Sequence, residues 1–296
     1  MKQYNSVLLI YNPNAMRGKI DEYVPHIKQR LLLRFPVVEV MSSPEVYGAE
    51  AIALKHAPRF DIVLACGGDG TLNQIINGVK KSNSNAIVGI LPFGTCNDVA
   101  RTLEIEHDLD KSIDSVLRLN TTQYDLMFDG TDYISYSMAT GYLVKSVYNT
   151  TNSTKKKFGR FAYFIYALKR VFKFRSLPLT ITYDGERVHG MFNYFMLLNG
   201  DYAGGFRIHK NNDISNGRAT MVLIKKSKGI VSFFTFLKLF FFGVKSIRKS
   251  KHAIIREVSN VEIENHSNYP FTIDGEKGKF LKKKISIKTD ITMIRN

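Results

Sequence analysis

Apolar positions change rhythm partway along the chain. Up to about residue 120 they come in short unbroken runs, SVLLIY (6–11), PVVEVM (36–41), DIVLAC (61–66) and AIVGIL (86–91). Between the runs, YVPHIKQRLLLRF, AEAIALKHA and LNQIINGVKKS carry apolar residues at helical spacing. Continuous runs predict strands buried on both faces, and helices between them predict a doubly wound parallel α/β sheet. Ligands of such sheets bind at the carboxyl ends of the strands. NPNAMRGK, GGDGT and PFGTCND all fall there.

From about residue 124 the pattern turns to alternation, in TYDGERVHGMFNYFMLLNG, RATMVLIKKS, NVEIENHS, PFTIDGE and KISIKTDITMIRN. Turn dipeptides punctuate it: Asp129-Gly130, Asp184-Gly185, Asn199-Gly200, Asn216-Gly217 and Asp274-Gly275. Antiparallel strands of a β-sandwich are expected. The predicted domains are residues 1–123, α/β, and residues 124–296, β-sandwich with inserted helices, the C-terminal tail being free to return to the first. Two helices are predicted within the second half, over 159–175 behind Lys155-Lys156-Lys157, and over 229–251.

Charge sharpens the division. The first 120 residues hold 13 Lys/Arg and 13 Asp/Glu, leaving 29 basic and 13 acidic residues to the rest, so the whole net charge of +16 lies downstream. Of 35 Phe and Tyr, 28 lie there too. A basic, aromatic half predicts an anionic partner, a membrane surface or a nucleic acid, against the plainer reading of a solvated basic face. The stretch Gly229–Val244 is 16 residues long and contains Lys238, whereas crossing a bilayer needs about 20 apolar residues. It is expected to lie in the interface, wall an apolar pocket or pack as a core helix. The first apolar run, VLLIY, stops at Asn12-Pro13 and reads as a strand, not a secretory h-region. Cys66 and Cys96 form no CxxC pair, so a reduced cytoplasmic chain with both thiols as packing residues is expected.

The strand-end loops hold the candidate chemistry. A Gly-rich strand-to-helix turn frees backbone N–H groups beside a helix N-terminus and suits an anion. GGDGT is neither a Walker loop nor GxGxxG, so alone it also reads as a tight turn with Asp69 exposed and Thr71 capping the helix. Phosphates tolerate a carboxylate at Asp69 if a divalent cation, Mg2+, stands between them, directly or through water. Arg17 and Lys19 offer phosphate ligands, and Asn97-Asp98 opens the helix after the fourth run.

With these residues in view the sequence resembles the bacterial diacylglycerol kinase-like lipid kinases, relatives of the diacylglycerol and sphingosine kinase catalytic regions. The resemblance rests on NPNA, GGDGTLNQIINGV, LPFGTCNDVAR, Asp125 in QYDLMF, KKKFGRFAYFIYALK, LNGDYAGGF and IDGE, in that order along essentially the whole chain. It implies a nucleotide-binding α/β domain, a β-sandwich domain and an active site in the cleft between them. It implies ATP contacts at Asn12, Gly67, Gly68, Gly70, Thr71 and Thr95, with Ser43 standing for a family Thr; Pro13, Asn14, Arg17, Lys19, Asn73 and Asn97 complete the candidate cofactor set. Asp69, Asp98 and Asp125 correspond to a water-linked network around a catalytic Mg2+, with Asp69 reaching it through water. Asp274 corresponds to the general base, for which a carboxylate of depressed pKa suffices; by itself Asp274-Gly275 reads as one hairpin turn among three Asp-Gly turns.

The implied reaction is transfer of the ATP γ-phosphoryl group to a membrane lipid hydroxyl, diacylglycerol to phosphatidic acid first, phosphatidylglycerol or a sphingoid base as alternatives. Phospholipid biosynthesis, peripheral attachment to an anionic membrane through Lys155–Lys157 and the 245–251 cluster, and room for a homodimer follow as expectations. Two departures stand out: Gln74 replaces a Glu, and Asn216, with Asp213 nearby, replaces an Asp of a structural metal turn. An amide brings no charge, so a second Mg2+ is expected to bind weakly at Asp213 and Asn216. An NAD kinase shares GGDGT but fits GTCND poorly, and no RNP, KH or basic-helix signature supports nucleic-acid binding.

Overall fold

The computed structural model describes residues 4–43, 48–141, 176–267 and 269–296. The predicted helix over 159–175 and the lysines at 155–157 lie outside the described residues. The chain forms two compact units, Met1–Leu126 together with Thr289–Asn296, and Met127–Lys288.

In the first unit four parallel strands, β1 (Ser6–Tyr11), β2 (Val37–Ser42), β3 (Ile62–Gly67) and β4 (Ile87–Pro92), stand in the order β4-β3-β1-β2. Helices α1 (Ile20–Leu32), α2 (Gly48–His56), α3 (Asp69–Lys81), α4 (Asp98–Thr102) and α5 (Leu109–Arg118) alternate with them. The unbroken apolar runs of β3 and β4 are buried throughout. The run at 36–41 departs from the expected double burial: β2 is an edge strand, it alternates, and Val37 is 47% exposed. Cys66 packs in this core, where burial pushes its thiol up, while Cys96 is half-buried. The periodicity reading passed over α5, whose start is fixed by Asp108 accepting from the Lys111 N–H at 3.1 Å. β5 (Thr121–Phe128) starts in this unit. The last residues of the chain finish the sheet, Met293 pairing in parallel with Val88, and Arg295 N–H donating to Asn120 C=O at 2.9 Å.

The second unit is antiparallel and β-sandwich-like. In chain order it holds β6 (Tyr133–Ile134), β7 (Ser137–Gly141), β8 (Leu177–Tyr183), β9 (Glu186–Leu198), β10 (Tyr202–Ala203), β11 (Phe206–Arg207), β12 (Ala219–Lys225), α6 (Gly229–Phe242), β13 (Ala253–Val258), β14 (Asn260–Asn265), β15 (Phe271–Ile273), β16 (Glu276–Gly278) and most of β17 (Lys282–Ile294). β9 organises it. Its first half pairs with β8, its second with β7 and β12. Its side chains alternate between two cores: Phe195 and Leu197 pack with Leu179 and Phe271, whereas Tyr194, Met196 and Leu198 pack with Leu239 of α6.

The helix predicted over 229–251 ends early. Gly243 stops α6 with φ +74°, and a Cβ there would stand 2.6 Å from the Ile208 carbonyl oxygen. Val244 N–H donates to that same oxygen at 2.8 Å, and Val244–Ser246 continues as a 3-10 turn.

Candidate functional site

Parallel pairing levels the strand ends of the first unit. Tyr11 faces Ser42 and Cys66, Cys66 faces Leu91, and Gly67 faces Pro92. The pairing runs one residue further: Asn12 N–H donates to Cys66 C=O at 3.1 Å, Ser43 N–H to Tyr11 C=O at 2.9 Å, and Phe93 N–H to Gly67 C=O at 2.8 Å. Asn12, Ser43, Gly67 and Phe93 therefore leave the sheet in one row. Asn12 then folds its loop, its Oδ1 accepting the Asn14 N–H at 2.8 Å, with Pro13 between. Met16, Arg17 and Gly18 follow at positive φ, and Arg17 and Lys19 are exposed with no ion pair to a described residue. Ser43 is buried and its hydroxyl donates to Tyr11 C=O, so its side chain closes the row.

The two glycine loops touch backbone to backbone. A Cβ on Gly94 would fall 2.5 Å from the Gly68 Cα and 2.6 Å from Asn97 Oδ1, so a side chain there would push the loops apart. Asn97 holds the second loop: Oδ1 accepts the Gly94 N–H at 2.9 Å, Nδ2 donates to Pro92 C=O at 3.1 Å and Gly94 C=O at 3.0 Å, and His107 Nδ1 lies 3.1 Å away. Proposed as a cofactor contact, Asn97 is fully buried and works inside its own loop. Above Gly70 the space is open, with no atom within 4 Å of where a side chain would begin. Thr71 turns back over Gly67, and no side chain caps α3, so the expected Thr71 cap is absent. Thr95 is exposed; Asn73 sits on the next turn of α3, where its carbonyl accepts from Asn77 Nδ2 at 3.0 Å.

Asp69 is not the exposed turn residue of the plain reading. It is 9% exposed and reaches from α3 to the start of α4, where its Oδ1 accepts the Val99 N–H at 3.1 Å. Burial raises its pKa, and the amides of Val99, Asp98 and Asn97 oppose the rise. Asp98 opens α4 and is buried; Asp125 on β5 is buried and accepts from Thr289 Oγ1 at 2.5 Å. Nothing in the sequence marked Thr289, which lies 164 residues away. Among the described residues no three His, Cys, Asp or Glu side chains gather into a ready-made metal cage. The residues fit a nucleotide and a divalent ion in a different way. The first amides of α3 have no helical acceptor, the floor over Gly70 is open, and a buried carboxylate stands beside it, which suits an ion shared with phosphates and water.

In the second unit Asp274 separates itself from the other Asp-Gly turns. It is 5% exposed with φ +45°, and its carboxylate accepts four bonds from one segment: Ser135 N–H at 2.5 Å and Ser135 Oγ at 2.8 Å on Oδ2, Tyr136 N–H at 3.0 Å and Ser137 N–H at 2.9 Å on Oδ1. Burial pushes it up to about 6, those four donors notwithstanding, so Asp274 is not the depressed carboxylate that would have sufficed for the task. Asp129 and Asp184 go the other way. Burial raises both, but Asp129 is held below the usual range by the Asp132 amide and Lys283, and Asp184 by Asn260 and Ser259. The donors Ser135, Tyr136 and Ser137 carry no motif and were missed by the sequence reading. Asp213 and Asn216 are exposed and cap their own turns, accepting the Ser215 N–H at 3.0 Å and the Arg218 N–H at 2.9 Å.

A parallel α/β unit with glycine loops at its strand ends, followed by an antiparallel sandwich-like unit, is the build of a diacylglycerol kinase-type phosphotransferase. The diacylglycerol kinase catalytic domain matches residues 6–128, and the YegS C-terminal NAD kinase beta sandwich-like domain matches residues 136–288. The chain belongs to this family and is a lipid kinase. It is 25% identical over 273 residues to a diacylglycerol kinase of Staphylococcus aureus (strain MRSA252), covering 91% of this chain and 85% of that one. With its counterpart from Staphylococcus haemolyticus (strain JCSC1435) it is 26% identical over 276 residues, covering 91% and 82%. Two crystal structures from Bacillus anthracis str. Sterne share the fold. One has a TM-score of 0.83 at 24% identity, covering 100% of this chain and 97% of that one; the other, of a diacylglycerol kinase, has 0.78 at 21%, covering 100% and 98%.

Proposed function

We propose that the protein transfers the γ-phosphoryl group of ATP, with Mg2+, to the free hydroxyl of diacylglycerol, giving phosphatidic acid and ADP. The observation that carries the reading is the level row of strand ends with Gly68 pressed on Gly94, which leaves the first turn of α3 open above Gly70. There the amides of Gly70 and Thr71 take phosphate oxygens, and Asn12, Thr95, Arg17 and Lys19 border them. A bound divalent ion supplies charge neutralisation for the phosphates. Asp69 would hold it through water, and Asp98 and Asp125 of the same unit would order that water.

Phosphoryl transfer asks the protein for positioning and a proton acceptor. Asp274 is that acceptor: as the lipid oxygen bonds to phosphorus and the bond to ADP breaks, the hydroxyl proton passes to its carboxylate. A base held near 6 is ionised at pH 7 and still takes a proton, which suits the task better than a strongly acidic carboxylate. Access to a substrate dissolved in membranes implies peripheral attachment. The test is incubation with labelled ATP, Mg2+ and defined lipids, followed by identification of the product. Labelled phosphatidic acid supports the reading; label on phosphatidylglycerol or a sphingoid base redirects it, and a soluble product refutes it. Nucleotide binding to an Asp274→Ala variant that no longer turns over separates the two roles.

A further inference from the structure

The outer face of α6 is apolar where a helix on a protein surface is normally polar. Ile230 is 57% exposed, Phe234 54%, Phe241 46% and Phe242 76%. Ile230, Phe234, Leu237 and Phe241 follow one another at four, three and four residues, so they form a single ridge about 16 Å long. The opposite face is the one that packs: Ser232, Thr235 and Leu239 are buried, and Phe236 and Phe240 stack on each other and meet Tyr194 edge-on. Phe241, at the far end of the ridge, also meets Phe206 edge-on, whereas Ile230 and Phe234 are surplus to the core. Beside the ridge a groove of about 280 Å³ opens between α6 and the segment that follows, with Lys238 and His252 among its walls.

The segment that carries the ridge has one sign of charge. Between Lys225 and His252 the chain has eight Lys/Arg and no Asp or Glu. All eight are exposed, and none forms an ion pair with a described residue. Exposed Phe ringed by unpaired cations complements a surface that offers hydrocarbon beneath negative headgroups. α6 has 14 residues, and no described helix is long and apolar enough to cross a membrane.

We propose that the Ile230–Phe241 ridge of α6 inserts shallowly into an anionic bilayer, with Lys238, Lys245, Arg248 and Lys249 against its headgroups. This gives the membrane attachment of the proposed lipid kinase a location. Burying the exposed half of each ring favours binding about fivefold, and each lysine near the surface contributes a similar factor.

The experiment is sedimentation of the full chain with phosphatidylcholine vesicles, with and without phosphatidylglycerol. Phe234→Ser with Phe241→Ser is expected to weaken binding to anionic vesicles about 25-fold, and Leu at both positions to restore most of it. Lys238→Gln with Lys249→Gln is expected to weaken binding to anionic vesicles by a similar factor and leave neutral ones unchanged. Unchanged sedimentation of the folded Ser variant, checked by melting temperature, overturns the proposal. So does a wild-type dimer that the Ser variant turns into a monomer with vesicle binding intact, since the ridge would then belong to a second copy. Turnover of a short-chain diacylglycerol dissolved as monomers keeps the two readings apart: the Ser variant retains it if only docking is lost. If the wild type has none, the function falls while sedimentation still judges the ridge.

Discussion

Asp274 sets burial against hydrogen bonding, and its titration tells which wins. The carboxylate is buried and accepts three amides and a hydroxyl, yet stands at about 6 against 3.8 for a free aspartate. Two pH units correspond to about 3 kcal/mol at 25 °C. Because the folded value is the higher one, the unfolded chain loses its proton first. The associated stability is complete below about pH 4 and is lost as pH rises through about 6. Urea unfolding of the wild type and Asp274→Asn from pH 4 to 7 isolates this group, since the other carboxylates titrate in both. The wild type is expected to lose about 2 kcal/mol more than the variant over that range, the unfolded aspartate being already partly ionised at pH 4. The variant should start about 1–3 kcal/mol lower, its Nδ2 meeting N–H donors where an oxygen accepted them. In turnover, kcat/KM should rise tenfold per pH unit below about 6 and then level. A kinetic limb below pH 4, with no stability difference between pH 4 and 6, would mean that the three amides outweigh burial and would refute the reasoning.

Gly94→Ala places a methyl group 2.5 Å from the Gly68 Cα; an overpacked contact costs about 1–3 kcal/mol, and calorimetry should show nucleotide affinity falling by at least tenfold with the second unit's melting unchanged. Asp69→Asn keeps an oxygen for the Val99 amide, so the melting temperature should move by no more than a few degrees while Mg2+-dependent turnover falls by a hundredfold or more, on the order of one lost electrostatic contact. Gly243→Ala, strained at φ +74° and pressed on Ile208 C=O, should destabilise the second unit by about 2 kcal/mol or more in urea. Chelation of divalent ions should abolish turnover and leave the far-UV circular dichroism as it was.

Sequence alone determined the parallel unit, because β1, β3 and β4 announce themselves as unbroken apolar runs and α3 as a helical period, signals contained within a few residues. It also determined which loops share an edge, since parallel strands must end together, and it supplied the family pattern that named Asp69 and Asp274. It placed the end of α6 too late, because what stops that helix is the Ile208 carbonyl pressed against Gly243. Only the tertiary structure decided that Asp274 differs from Asp129 and Asp184. Its four donors come from a segment 137–139 residues away, and an Asp-Gly pair reads alike wherever it falls. The same holds for Asn97, turned into its own loop, for Thr289 beneath Asp125, and for the ridge of α6. Burial and pKa are properties of what the rest of the chain brings to a residue, and chain-distant encounters leave no local periodicity to read.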